Sequence, residues 1–158
     1  MPDTFSLFPD IVFASARANH SRQLFEHIAQ AVEKKFNASI DLVYESLILQ
    51  EQKTPSGIGD GIAIPQARII GLSQPVFILA RVGVRIMDIK TLDHQPIDLI
   101  GAVLSPYRDG TEHLQRVARA SRLLRNGDFV DALRKAETTD DINMVFRAYL
   151  DDTKTRAA

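Results

Sequence analysis

Two stretches, Val76-Phe77-Ile78-Leu79-Ala80 and Leu99-Ile100-Gly101-Ala102-Val103-Leu104, contain no polar side chain at all. A strand sends alternate side chains to opposite faces, so apolar runs of this length belong in a sheet covered on both sides. Helical patterns to cover it surround them. Ser21 can cap a helix with Leu24, Phe25, Ile28, Ala31, Val32 and Phe36 inward, and Ser39 one with Leu42, Val43, Leu47 and Leu49 inward, ending before Pro55. Downstream, Thr111 can cap a helix that buries Leu114, Val117, Ala118, Ser121 and Leu124. Phe129, Val130, Leu133 and Ala136 predict a short helix, and Thr138 with Asp141 a capping box for a last one carrying Ile142, Val145, Phe146, Tyr149 and Leu150. Ile11-Val12-Phe13 can open the sheet, and Val82, Val84 and Ile86 alternate as an edge or half-buried strand would. The expected class is α/β: a small mixed sheet with helices packed on both faces, one domain over 1–151 and a flexible tail at 152–158.

Bulk properties narrow the function. At 158 residues and 45% hydrophobic content one substantial core can form without metals or disulfides. Nineteen Lys and Arg against twenty Asp and Glu give a net charge of −1, which offers no global field for nucleic acid or anionic lipid. There is no cysteine, hence no disulfide framework, thiol nucleophile or thiolate metal site, and no window approaches 18 apolar residues. The N-terminus lacks the basic start and cleavage site of a secretory signal, so the expected location is cytoplasmic, without membrane insertion. His20, His27, His94 and His113 form no compact metal pattern, and neither a metal nor a cofactor is expected.

Residues 56–66, Ser56-Gly57-Ile58-Gly59-Asp60-Gly61-Ile62-Ala63-Ile64-Pro65-Gln66, read as a loop feeding a short strand that stops at Pro65, with Gln66 at its mouth. The spacing of Gly57, Gly59 and Gly61 is neither a dinucleotide fingerprint nor a phosphate loop. His113 sits in the first turn of the helix after Thr111, where the dipole favours an anion and disfavours a proton on the ring; by itself it reads as a surface histidine.

The segment Ser56–Pro65 resembles the active-site signature of IIA domains of the bacterial phosphotransferase system, fructose and mannitol type, and most closely their nitrogen-regulatory branch. The likeness extends to Asp93-His94-Gln95-Pro96-Ile97-Asp98-Leu99-Ile100, to Pro106 and to Thr111-Glu112-His113-Leu114, and covers nearly the whole chain. The resemblance implies a histidine directly after the Ile-Pro pair that accepts a phosphoryl group from a small carrier protein; here that position is Gln66. It also implies a phosphate-holding arginine near the end of the preceding helix, where Gln50 stands, and a glycine where Ala67 stands. A primary amide is a poor nucleophile, because its lone pair is delocalised into the carbonyl. The assisting histidine of the family is retained as His113, and Gln66 should face it.

The resulting expectation is a regulatory protein without catalytic activity that mimics the dephosphorylated state. It would dock through Ser56, Gly57, Gly59, Gly61, Ile64, Pro65 and Arg68 around Gln66, His113 and Gln50. By resemblance its partners are the histidine phosphocarrier protein, sensor kinases, potassium-transport systems or stringent-response enzymes. Two alternatives stand beside it: a phosphoryl-transfer component using His113 or another residue, and a module that binds a small neutral ligand between Gln66 and His113. A Val82/Val84/Ile86 edge could also pair across a homodimer, against the discouragement of Arg81 and Arg85.

Overall fold

The computed structural model describes residues 5–157, with side chains described through Asp151. The side chains of the expected tail, 152–158, lie outside the described residues. The apolar runs form the two long central strands, β5 (Val76–Ile86) and β6 (Ile97–Pro106), paired antiparallel with Phe77 opposite Val103 and Leu79 opposite Gly101. Strand β1 (Ile11–Ala16) adds parallel to β5. On the other side of β6 lie β2 (Gly57–Gly59), β3 (Ile62–Ala63) and β4 (Gln66–Ile69). The order is β1-β5-β6-β3-β2, with β4 also on β6, so the sheet is mixed.

Helices cover both faces. Helices α1 (Ser21–Phe36) and α2 (Ile40–Lys53) bury Leu24, Phe25, Ile28, Val32, Val43 and Leu47 against one side. Helices α3 (Thr111–Leu123), α4 (Gly127–Lys135) and α5 (Thr139–Ala157) cover the other, packing Leu123, Phe129, Leu133, Ile142 and Phe146 on Phe77, Leu79, Leu99 and Val103. These are the alternate residues of β5 and β6, as the period of two requires.

Several local expectations change. Helix α1 is capped by His20, which accepts from the Gln23 N–H, so Ser21 begins the helix; its hydroxyl and N–H go instead to the Asp88 carboxylate. Leu42 and Leu49 face outward from α2. Val82, Val84 and Ile86 are no separate edge strand but part of β5, with Val82 opposite Ala16 at the end of β1 and Val84 and Ile86 beyond it. The glycine-rich loop is a hairpin: β2 and β3 pair antiparallel across Asp60-Gly61, both at positive φ (58° and 78°), the two-residue turn for which Asp-Gly is well suited. The chain does not leave the sheet at Pro65. Pro65 cannot donate to the ladder, yet its carbonyl accepts from the Val103 N–H at 2.9 Å, and β4 continues along β6 in the register of β3.

The largest change is in α3. Its buried face is His113, Arg116, Ala120 and Leu123, whereas Leu114 is 69% exposed. The stripe is thus rotated by one residue from the apolar pattern, turning a histidine and an arginine toward the sheet. Nor does Thr111 cap it; Gly110 occupies the cap position without a side-chain hydrogen bond to the helix.

Candidate functional site

Gln66 and Arg68 project from one face of β4, because Ala67 and Ile69 between and after them are buried on the α1/α2 side. Gln66 pairs with Val103 and Arg68 with Ser105, so the site is built where β4 and the end of β6 lie side by side beneath the first turn of α3. His113 comes down from that turn and is 4% exposed.

Its ring is held from both ends. Nδ1 is 2.7 Å from Ser105 Oγ, and Nε2 is 2.5 Å from Gln66 Oε1. Arg116, one turn along α3, donates through Nη1 to Ser105 Oγ at 2.8 Å and to Asp109 Oδ2 at 2.7 Å. A guanidinium can only donate, so Ser105 Oγ accepts from Arg116, and an amide oxygen can only accept, so His113 Nε2 donates to the Gln66 carbonyl. With the ring's single proton on Nε2, Nδ1 accepts from the Ser105 hydroxyl. The donors run one way, from Arg116 through Ser105 and His113 to Gln66.

Burial pushes the His113 pKa down to about 4, with further lowering by Arg68 and then Arg116, opposed by Asp109. At neutral pH the ring is an uncharged imidazole. The start of α3, whose N–H groups lack a side-chain cap, also disfavours a positive charge there. A neutral ring nitrogen beside two guanidinium groups can attack an electrophile bearing negative charge, phosphorus in a phosphoryl group among them.

The other expected residues fall differently. Ile64 and Pro65 support the site through the backbone, Ile64 N donating to the Ser56 carbonyl. Gln50 is half-buried on α2, and among the described residues no hydrogen bond joins it to Gln66 or His113. Ser56 is buried with its Oγ unpartnered. Gly57, Gly59 and Gly61 belong to the opposite end of the sheet, where the Gly61 carbonyl accepts from Asp98 at the start of β6. Asp98 and Ser105 are seven residues apart, about 23 Å along a strand. At that far end the hairpin borders a cleft of about 570 Å³ also lined by Asp93, Asp98, Arg125 and Arg134, which contains neither Gln66 nor His113.

Ser105, Arg116 and Asp109 were not singled out in the sequence. One signal pointed to Arg116: it follows His113 by three positions and so shares its helix face. Ser105 gives none, since a serine ending an apolar strand reads as punctuation.

The expectation of a catalytically inactive docking mimic is overturned by this geometry. A buried imidazole is retained, hydrogen-bonded to Ser105 and Gln66 and held neutral, which is the condition of a usable nitrogen nucleophile. The expectation rested on Gln66 and Gln50 standing where the family resemblance puts a histidine and an arginine, and it gave His113 only an assisting role; the burial and hydrogen bonding of His113 favour a role for the ring itself. Of the readings weighed, phosphoryl transfer through His113 is the better supported.

Known proteins resemble the chain along nearly its whole length. The family model described as "Phosphoenolpyruvate-dependent sugar phosphotransferase system, EIIA 2" matches residues 6–149. A nitrogen regulatory protein of Bradyrhizobium diazoefficiens is 29% identical over 145 residues, covering 92% of this chain and 94% of the relative. Among solved structures, the nitrogen regulatory protein IIA-Ntr of Neisseria meningitidis superposes with a TM-score of 0.76 at 23% identity, over 85% of this chain and 91% of that one. IIA mannitol of Escherichia coli superposes with a TM-score of 0.72 at 14% identity, over 89% and 99% of the two chains. At these identities the superpositions establish the fold.

Proposed function

Since the chain belongs to the EIIA 2 family of the phosphoenolpyruvate-dependent sugar phosphotransferase system, we propose that it is a phosphoryl-transfer component that accepts a phosphoryl group on His113. The observation that carries this reading is the buried, neutral imidazole held between Ser105 and Gln66. In the transfer, His113 Nε2 gives its electron pair to phosphorus, the N–P bond of a donor phosphohistidine breaks, and that pair returns to the donor nitrogen. Nε2 must be unprotonated for this step. Rotation of the Gln66 amide away from the ring and proton exchange with water place the ring proton on Nδ1, where Ser105 Oγ accepts it.

On this reading Gln66 stands where the family resemblance puts the acceptor histidine, and the reaction has moved to the neighbouring ring. The relative's name, a nitrogen regulatory protein, supports a regulatory role over sugar uptake. Protein partners of the kind such components dock with, a histidine phosphocarrier first among them, and a cytoplasmic location are part of the proposal. No helix among the described residues is long and apolar enough to cross a membrane.

The test is labelling by a phosphorylated histidine carrier. One acid-labile phosphoryl group per chain, absent from His113→Gln, is expected. An unlabelled wild type, or undiminished labelling of His113→Gln, would overturn the proposal.

A further inference from the structure

Arg68 is an exposed cation with no carboxylate partner among the described residues. Its guanidinium is nonetheless held in place. Nη1 donates to the Asp109 carbonyl at 3.3 Å, and the group lies over the Tyr107 ring, 5.6 Å from its centroid. Both partners are uncharged. The nearby carboxylate, that of Asp109, is taken by Arg116, so Arg116 is neutralised and Arg68 is not. Arg68 also stands directly opposite Ser105 in the β4–β6 ladder, on the same face of β4 as Gln66. Its charge is felt at the ring, where it opposes protonation of His113.

The geometry points to Arg68 as the residue that holds the phosphoryl dianion at His113, a charge-bearing role that Gln50 on α2 cannot perform. This inference rests on the phosphoryl-acceptor reading of His113. A guanidinium presents paired N–H donors that match phosphate oxygens, and it is already placed by a ring and a carbonyl that an arriving anion need not displace. Its contribution is greatest when negative charge moves onto the group next to Nε2, because the uncompensated positive charge is set there before the reaction. As the N–P bond of the donor breaks and that to His113 forms, Arg68 gains two charge-assisted hydrogen bonds and loses none to a competing carboxylate.

Arg68→Gln and Arg68→Lys separate the possibilities, and because the side chain is exposed both variants should keep the fold, checked by thermal unfolding. With phosphoramidate as donor, the labelling rate at His113 should fall at least tenfold in Arg68→Gln and be partly restored in Arg68→Lys. Inorganic phosphate titrated into the unlabelled protein should move the His113 ring resonances of the wild type and leave those of Arg68→Gln unmoved. The His113 pKa should rise in Arg68→Gln and stay low in Arg68→Lys. Labelling and phosphate response equal to wild type in Arg68→Gln would overturn the role of Arg68. If the wild type took no label, the acceptor reading would fail separately. The phosphate titration would still decide Arg68: a response lost in Arg68→Gln supports it, and an equal response overturns it.

Discussion

Arg116 Nη1 donates to Ser105 Oγ across 2.8 Å in the protein interior, where Ser105 is fully buried and Arg116 is 4% exposed. The hydroxyl keeps a proton to give and a second lone pair. Because the Gln66 carbonyl can only accept, the resting neutral ring holds its proton on Nε2 and the Ser105 hydroxyl donates to Nδ1, so a serine at the end of a strand helps hold the tautomer of a ring on a helix. Ser105→Ala should leave Nδ1 and one Arg116 N–H without their buried partner, at about 1–3 kcal/mol of stability. Nitrogen NMR of the ring should change from one tautomer to a mixture. Unchanged ring shifts would show that Ser105 does not set the proton position.

Acid should destabilise the protein through His113. Its folded-state pKa of about 4 lies below the ordinary histidine value of 6.5, so between those limits the unfolded chain binds the proton more readily than the folded one. The stabilisation is complete above the unfolded value and is lost as pH falls through the folded value, by on the order of 1–3 kcal/mol. Urea unfolding at a series of pH values should show this slope, and His113→Gln should flatten it.

Gly61 is confined by conformation and by space. Its φ is +78°, and a Cβ there would lie 2.9 Å from Asp98 Oδ1 and 3.0 Å from Arg134 Nη2, which grip each other at 2.9 Å. Gly71 has φ +90° with nothing within 4 Å of such a Cβ. Gly71→Ala should therefore cost only the backbone strain, about 1 kcal/mol, and Gly61→Ala about 2–3 kcal/mol. The difference, read by chemical denaturation, measures how firmly the Asp98–Arg134 pair closes the hairpin.

Phe146 binds the α3/α4/α5 layer together. Its ring meets Phe129, Phe77 and Phe8 edge-on at centroid distances of 5.0, 6.2 and 6.3 Å. Phe146→Ala should cost about 3–5 kcal/mol, measured from the urea midpoint at unchanged slope. A loss below 1 kcal/mol would mean that the layer closes over the cavity.

Much of the fold was legible because burial on two faces leaves a linear trace. Val76–Ala80 and Leu99–Leu104 could only be interior strands, and the stripes of α1 and α5 follow from the helical period. The hairpin at Asp60-Gly61 is equally legible from its dipeptide, since both residues tolerate the positive φ that a two-residue turn demands.

The sequence by itself determined the α/β class, the layers on both sides of the sheet and the meeting of Gln66 with His113. Only the tertiary structure decided that α3 turns His113 and Arg116 inward and leaves Leu114 outside. A hydrophobic count ranks leucine above histidine for burial, but Ser105 and Asp109 wait beneath the helix to satisfy the polar groups, and a satisfied polar face can displace an apolar one. That pairing joins residues eight and eleven positions apart across a strand end and a turn, and no local pattern announces it. The buried ring held between Ser105 and Gln66, and with it the chemistry proposed for this protein, exists only once the chain has folded.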